Sequence, residues 1–186
     1  MNLQRLKLMR AAARVERFHV TPTLHCQTVG EHSFGVMTIL FEVAEKPSFE
    51  LIIAALVHDA PEVLTGDIPA PTMWEHPVLK EAMGHVEHMT MLKFNLDHIA
   101  AKLTDKERNL LRFADSMECV LFAIEEATDG NRKMAMVAWR SLDAIRKRGL
   151  VELTLGTMHL YEFVWAHLEF AHPRGTGEGA LHGWPE

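Results

Sequence analysis

A short, wholly apolar segment that ends in two ionisable residues constrains this fold more than any other feature. Residues 51–57 read LIIAALV, and His58 and Asp59 follow without a spacer. This run is too short to cross a membrane, so it is predicted to form a helix buried in a protein core. The helix carries His58 and Asp59 into surroundings of low dielectric constant, where an unpaired carboxylate is costly.

Two arrangements would satisfy this His–Asp pair. A divalent metal can bind both side chains if other helices supply further ligands. Alternatively, the imidazole and the carboxylate can form a hydrogen-bonded pair within the core. The dipeptide alone does not decide between these readings, because His-Asp is frequent by chance.

The corner after this segment adds two more carboxylates, those of Glu62 and Asp67. Gly66 is predicted to end the local helix, and the two prolines that follow stiffen the exit. Ionisable side chains crowded into one corner repel one another unless a cation or a substrate lies among them. The corner therefore favours a functional site built on His58, Asp59, Glu62 and Asp67.

Length and charge restrict the class of protein. With 186 residues and 48% hydrophobic content, the chain can bury one core. We expect one domain over residues 1–172 and a flexible tail over 173–186, which is rich in glycine. A net charge of −6 disfavours binding to a nucleic-acid polymer, so a nucleotide partner is expected to be small.

The sequence predicts a cytoplasmic protein. Its two cysteines, Cys26 and Cys119, lie in unrelated contexts and indicate neither a disulfide framework nor a cysteine-rich zinc site. We find no secretory signal and no transmembrane run. The basic, amphipathic start could resemble a mitochondrial presequence, but an ordinary first helix is favoured, with its body-facing side formed by Leu3, Leu6, Met9 and Ala13.

The helical pattern continues through the rest of the chain. Thr28 and Glu31 form a capping box, which puts His32 in the first turn of a helix, where the helix dipole favours a neutral imidazole. A long helix over residues 77–99 follows, and two further helices cover 131–148 and 150–172. We find no convincing strand, so the fold class is all-α with about six or seven helices.

A buried charge is predicted on the helix that Thr104 and Glu107 open with a second capping box. Asp115 shares a helical row with Leu111, Cys119 and Phe122, so its carboxylate points toward the apolar interior and needs a partner. That partner could be a metal, an arginine or the free N–H groups of a neighbouring helix, and the spacing leaves all three open.

His32, His58-Asp59 and Asp115, each on its own helix, follow the order H…HD…D. With the segments EHS (31–33) and HDAPEVLTGDIP (58–69), this order resembles the HD-domain phosphohydrolases. Among them the chain looks most like bacterial 5′-deoxynucleotidases and phage HD-type dATP triphosphohydrolases. The resemblance spans about residues 3–126 and implies a single HD-domain helical bundle.

The resemblance also implies a set of site residues. The metal ligands would be His32, His58, Asp59 and Asp115, around one divalent transition metal (Zn, Co or Mn). The catalytic residues would be Glu62, Asp67 and Arg17, with Asp67 as proton donor to the leaving O5′ and Glu62 orienting the attacking water. The substrate would contact Arg17, Phe18, Val20, Pro71 and Arg112.

The resemblance favours dATP triphosphohydrolase activity. An apolar wall at Phe18 and Val20 would accept an adenine edge but leave an added exocyclic amine unpaired. Met73 stands where a relative carries a phosphate-binding lysine, so Mg²⁺ on the triphosphate would have to help Arg17 and Arg112. The runner-up is a 5′-deoxynucleotidase that acts on deoxynucleoside monophosphates.

Two other functions stay open, and one partner is expected. A non-catalytic nucleotide-binding HD sensor would not need six positioned ionisable groups. A phosphodiesterase for signalling nucleotides would need a second metal, for which His85 and His88 at i, i+3 are poor candidates. The resemblance further implies a homo-oligomer, either a dimer or a hexamer.

Overall fold

The structure, a computed structural model, describes residues 3–93 and 95–174, and of Trp74 and Ala100 the backbone alone. Within these ranges the chain is almost entirely helical. Its elements are α1 (Leu3–Ala12), β1 (Glu16–Arg17), β2 (Gln27–Thr28), α2 (Val29–Val43), α3 (Phe49–Val57), α4 (Glu62–Thr65), α5 (Ala70–Glu75), α6 (Pro77–Lys93), α7 (Asp97–Lys102), α8 (Asp105–Thr128), α9 (Met134–Lys147), a 3₁₀ turn (Val151–Leu153) and α10 (Leu155–Ala171).

The all-α prediction is confirmed, with two local differences. Three of the helices in the described ranges, α4, α5 and α7, have only four to six residues and carry too little periodicity to be predicted. β1 and β2 form a two-residue antiparallel pair, with Glu16 opposite Thr28 and Arg17 opposite Gln27. This pair closes a hairpin whose loop, residues 18–26, runs beside the site.

The helix predicted over residues 77–99 is divided in two. α6 ends at Lys93 and α7 begins at Asp97. Between them Asn95 adopts a left-handed backbone with φ of 54°, a conformation that asparagine tolerates better than most residues. The apolar pattern of the sequence continues across this turn, so the pattern did not predict the break between α6 and α7.

Helix α8 is the centre of the bundle and packs against α2, α3 and α9. Its capping box is present, since Thr104 Oγ1 accepts from the Glu107 N–H while the Glu107 carboxylate accepts from the Thr104 N–H. Its buried face is formed by Leu110, Phe113, Ala114, Met117 and Ile124. The core formed in this way holds the ends of α2 and α3 against the middle of α8.

The predicted inner face of α1 is wrong at Leu3, Leu6 and Ala13, while Met9 is partly buried and packs against the core as expected. Leu3 and Leu6 are more than half exposed, and the residues buried on this helix are Leu8 and Ala12. One face of α1 is turned toward α4, so contact with that short helix decides which residues are covered. Since α4 was not predicted, the sequence pattern assigned the wrong side.

The start of the predicted tail is held in place. The Arg174 guanidinium lies 4.1 Å from the Trp139 ring centroid, and its Nη2 donates to Asp143 Oδ1 at 3.0 Å. The rest of that prediction, residues 175–186 with Trp184, lies outside the described residues. Within the described part of the chain, no helix has both the length and the apolar composition of a membrane span.

Candidate metal centre

Three helix positions bring the predicted ligands together. His32 lies in the first turn of α2, where the capping box of Thr28 and Glu31 starts the helix as predicted. His58 is the residue that ends α3, and Asp59 follows in the adjoining turn. Asp115 lies on α8, on the side that faces both helix ends.

The ligand atoms are close enough to share one ion. One donor atom from each of His32, His58 and Asp115 lies within 4.8 Å of the other two. His32 Nε2 is 3.1 Å from Asp115 Oδ1 and 3.5 Å from Asp59 Oδ2, while His58 Nε2 is 3.3 Å from Asp59 Oδ1. Two imidazoles and one or two carboxylates suit zinc and similar divalent metals.

Hydrogen bonds on the far side of each ring direct its Nε2 toward this cluster. The Nδ1–H of His58 donates to the carbonyl oxygen of Ala55 at 2.8 Å. The Nδ1–H of His32 donates to Glu118 Oε2 in a short hydrogen bond. Because a carbonyl and a carboxylate can only accept, both rings must carry the proton on Nδ1, which leaves Nε2 as the metal-binding atom.

Glu118 is a candidate site residue that the sequence reasoning missed. Its Oε1 accepts from Gln27 Nε2 at 2.8 Å while Oε2 holds His32, so both carboxylate oxygens are used. Gly35 leaves the room for this side chain, because a Cβ built at position 35 would lie 2.7 Å from Glu118 Cγ. The available signal was the i, i+3 spacing of Glu118 from Asp115, which puts both acids on one face of α8.

The carboxylates, rather than the helix dipole, dominate the protonation of His32. Burial lowers the pKa of His32, but hydrogen bonds to Asp115 and Glu118 outweigh it and leave the pKa raised. Burial likewise lowers the pKa of His58, and the negative charges of Asp59 and Asp115 raise it to about 9. The raised pKa of His32 runs against the effect expected from the helix start, because the neighbouring carboxylates act in the opposite direction.

The two further acids of the corner have different surroundings. Glu62 is largely buried, and burial together with the charges of Asp59 and Asp67 raises its pKa to about 8. Asp67 Oδ2 accepts a hydrogen bond from the backbone N–H of Phe18 at 2.9 Å. Gly66 ends α4 between them with φ of 71°, as predicted.

Arg17 and Phe18 lie beside the cluster on the β1–β2 hairpin. Arg17 Nη1 donates to Asp59 Oδ2 at 3.2 Å, and both side chains are mostly buried. Phe18 has a left-handed backbone with φ of 56°, and its ring stacks on Phe122 with the centroids 5.0 Å apart. The strained backbone of a bulky residue at this position is held by the Asp67 hydrogen bond and by that stacking.

The remaining predicted substrate contacts are more open. Val20 is 60% exposed in the hairpin loop, and Pro71 is exposed in the first turn of α5. Arg112 is exposed on α8, where its Nη1 donates to Asn109 Oδ1 at 3.1 Å. Their part in binding a base or a phosphate stays a prediction.

Unsatisfied polar atoms are concentrated around this site. Among the described residues, five buried side-chain atoms lack a hydrogen-bond partner, and three of them, Arg17 Nε, His58 Nε2 and Glu62 Oε2, belong to this corner; the other two are Gln27 Oε1 and Ser33 Oγ. Orphaned polar atoms are rare in folded proteins, and three that belong to one corner indicate that a ligand completes it. A cation with an anionic substrate would satisfy all three.

His85 and His88 do not extend the metal site. Both are exposed on α6, and neither belongs to a group of three metal-binding side chains in the described ranges.

An all-helical bundle that presents the H…HD…D residues to one point defines the HD-domain phosphohydrolases, a class of metal-dependent hydrolases. The sequence model of the YfbR-like family, described as 5′-deoxynucleotidase YfbR-like, matches residues 4–162. This chain therefore belongs to the YfbR-like family.

Individual relatives agree with this assignment. The 5′-deoxynucleotidase YfbR of Escherichia coli O1:K1 is 25% identical, over 86% of this chain and 90% of that protein. The fold is shared with the PH0347 protein of Pyrococcus horikoshii OT3 (TM-score 0.68, 20% identity, 90% of this chain and 99% of that one). It is also shared with the cyanophage S-2L HD phosphohydrolase DatZ, solved bound to dA and one catalytic Zn²⁺ ion (TM-score 0.59, 21% identity, 91% of this chain and 95% of that one).

Proposed function

We propose that this chain is a metal-dependent 5′-deoxynucleotidase, which hydrolyses the 5′-phosphate ester of deoxynucleoside monophosphates in the cytosol. The observation that carries the proposal is the convergence of His32, His58 and Asp115 within 4.8 Å. The YfbR relatives supply the substrate class, since their name describes 5′-deoxynucleotidases. The two unpaired cysteines, Cys26 and Cys119, support a reducing compartment.

The residues present fit a single divalent transition metal. His32 and His58 would bind through Nε2, and Asp115 and Asp59 through carboxylate oxygens. Zinc is the first ion to test, because two imidazoles and carboxylates match its preferences and because DatZ was solved with Zn²⁺. When bound, such an ion supplies a nucleophilic hydroxide at neutral pH and polarises the phosphate.

Arg17 would hold the phosphate. Its guanidinium is mostly buried, and the charges of Asp59 and Asp115 outweigh desolvation, so its pKa is raised and it stays cationic. Its Nε is a buried donor without a partner, while Nη1 is engaged by Asp59. A phosphate oxygen placed at Nε would satisfy this donor and lie next to the metal ligands.

We assign proton donation to Glu62, which reverses the roles expected from the sequence. A carboxyl group with a pKa of about 8 is protonated at neutral pH and can donate to the leaving O5′. Asp67 has one oxygen occupied by the Phe18 N–H, so we assign it to positioning the hairpin and the nucleophilic water.

Triphosphohydrolysis of dATP is the second candidate. Its support is the shared fold with DatZ, a protein solved with dA bound, and the apolar wall at Phe18. The monophosphate is favoured because Met73 offers no cation for a longer phosphate chain and Arg112 is turned toward Asn109. The same metal ligands would serve both substrates, because the two reactions share the leaving O5′ and differ only in the length of the phosphate chain.

The deciding experiment compares substrates on the zinc-, cobalt- and manganese-loaded protein. Rates are measured on dAMP, dGMP, AMP, dATP, dGTP and 2-amino-dATP, with orthophosphate and triphosphate quantified separately. We expect orthophosphate from the deoxynucleoside monophosphates and slower reaction of AMP. Triphosphate released from dATP at a higher rate than orthophosphate from dAMP would establish the second candidate instead.

Two controls separate the remaining readings. His58→Ala should abolish turnover, which excludes a contaminating phosphatase. Val20→Ala should alter the ratio of adenine to guanine substrates if Val20 faces the base, and equal rates on every base by the native protein would refute the shape argument. Tight nucleotide binding without turnover under any of the three metals would identify an HD sensor.

A further inference from the structure

One row of α8 supports the entire β1–β2 hairpin. Glu118, Phe122 and Glu126 are spaced at i, i+4 and i+8 and therefore lie on one face of the helix. Glu118 holds the second strand through Gln27, and Phe122 stacks on Phe18 at the start of the loop. Glu126 holds the far end of the loop at Leu24 and His25. Among the described residues, none of the proposed metal ligands contacts this end of the loop.

Glu126 is a fully buried carboxylate with an unusually complete set of donors. Its Oε2 accepts from the Leu24 N–H and its Oε1 from the His25 N–H, both at 2.7 Å. His25 Nδ1 and Asn131 Nδ2 add hydrogen bonds of 2.9 and 3.0 Å. Asn131 also donates to the Pro22 carbonyl at 2.9 Å, so the contacts of Glu126 and Asn131 span residues 22–25 of the loop backbone.

These contacts favour the ionised carboxylate. Burial raises the pKa of Glu126, but the hydrogen bonds from Leu24, Asn131 and His25 outweigh it and lower the pKa to about 2. A buried charge that is satisfied by four donors fixes its partners far more firmly than a neutral contact would. The loop is therefore tied to α8 at its end as well as at its start.

The held loop leads directly to the site. Phe18 begins it, and its N–H binds Asp67 while its neighbour Arg17 binds Asp59. The left-handed backbone of Phe18 requires support from the residues that follow, and Thr21 N donates to the Phe18 carbonyl at 2.8 Å. Displacing residues 24–25 would release the loop on which this arrangement depends.

We propose that Glu126 is a positioning residue that sets substrate affinity by holding the 18–26 loop, and through it Arg17 and Phe18, against the site. This inference rests on the proposed function for its substrate. In the contacts of the described residues, Glu126 touches none of the proposed metal ligands. By holding the loop, Glu126 would strengthen substrate binding equally in the ground state and in the transition state. Its removal should therefore change KM more than kcat.

The test is Glu126→Gln, with Glu125→Gln as the matched control because Glu125 is the exposed neighbour on the same helix. A glutamine offers one acceptor oxygen and one NH₂ group, so one of the two loop N–H groups must lose its partner. We expect KM for dAMP to rise on the order of tenfold in Glu126→Gln, with kcat changed by less than about threefold and metal content unchanged. The control should match the native protein.

Amide hydrogen exchange provides a readout that does not depend on activity. In Glu126→Gln the amides of Leu24, His25 and Phe18 should exchange faster, while those in the middle of α8 keep their protection. Asn131→Ala removes one donor and leaves the carboxylate, so it should shift the same amides and KM in the same direction by a smaller amount. If Glu126→Gln does not fold, the Asn131→Ala variant tests the same proposal.

The outcomes separate the two proposals. Unchanged exchange at Leu24 and His25 would show that Glu126 does not hold the loop. Faster exchange there with an unchanged Phe18 amide and an unchanged KM would refute the coupling to the site. If the native protein hydrolyses no deoxynucleotide, the proposed function fails, and exchange at Phe18 still decides whether Glu126 positions the hairpin.

Discussion

The carboxylate of Glu118 accepts the Nδ1–H of His32, and it thereby fixes which nitrogen of that histidine faces the metal site. The same carboxylate accepts from Gln27 of the hairpin. One acid thus connects a candidate metal ligand to the segment that carries Arg17. Such partners of a ligating histidine raise its basicity and fix its orientation.

Glu118→Ala should weaken zinc binding by about 10–100-fold, the usual effect of removing the partner of a ligating histidine. Glu118→Gln keeps an acceptor and loses the charge, so its effect should fall at the lower end of that range. Competition with a chromophoric chelator measures both affinities, and Glu125→Ala is the exposed control. Native-like affinity in Glu118→Ala would contradict the role assigned to this acid.

Gly35→Ala should weaken metal binding without altering any ligand. The added methyl group would lie 2.7 Å from Glu118 Cγ and 3.1 Å from its Oε1, so Glu118 has to move away from His32. Gly84→Ala on α6 is the control, since no atom lies within 4 Å of a methyl group at that position. If zinc affinity in the two variants is equal, the space beside Glu118 is not what Gly35 provides.

Asp115→Ala should lose most activity at low metal and regain part of it in excess metal. The remaining donors of His32, His58 and Asp59 would hold the ion more weakly, because one charged ligand is absent. Activity is measured across a metal titration, with Asp105→Ala, an exposed acid of the same helix, as the control. Full activity of Asp115→Ala in metal-depleted buffer would remove Asp115 from the ligand set.

Glu62→Gln should retain metal and nucleotide while kcat falls by about 10²–10⁴-fold, the usual contribution of a general acid. Asp67→Asn should also slow turnover, and in addition it should speed amide exchange at Phe18, whose N–H Asp67 accepts. Metal content, kcat and exchange are compared in the two variants. A Glu62→Gln protein that turns over at the native rate would return proton donation to Asp67.

Glu126 should make the protein more sensitive to acid. Its pKa is about 2 in the folded state against an ordinary value of 4.5, so its stabilising effect is complete above pH 4.5 and is lost as the pH falls toward 2. The free energy of unfolding of the native protein should therefore exceed that of Glu126→Gln at pH 7, with the difference shrinking below pH 4.5. Urea titrations of both proteins at several pH values measure it, and a difference independent of pH would be the contrary result.

The sequence predicted the parts of this protein that local chemistry determines. Capping residues such as Thr28 and Thr104 mark helix starts, and the apolar run before His58 marks a buried helix. These signals were enough to predict the fold class. They were also enough to predict that His32, His58 and Asp115 lie close together. The order of those residues then pointed to the family.

What the sequence did not predict depends on contacts between distant segments. In the sequence, Glu118 and Glu126 look like ordinary surface acids of a helix. They are covered by the β1–β2 hairpin, which lies about 90 to 100 positions earlier in the chain. The burial of α1 was misjudged for the same reason, because the helix that covers it was too short to predict. Long-range partners, rather than local propensity, decided each of these outcomes.

The proposed metal ligands come from α2, the C-terminal end of α3 and α8, and His32 and Asp115 are 83 positions apart in the chain. An ion bound between them is a cross-link that a reducing compartment allows, in the way that a disulfide joins distant segments of a secreted protein. At a free concentration one hundred times its Kd, it would stabilise the folded state by about 2.7 kcal/mol. A shortage of metal would then shorten the lifetime of the folded protein as well as abolish its activity.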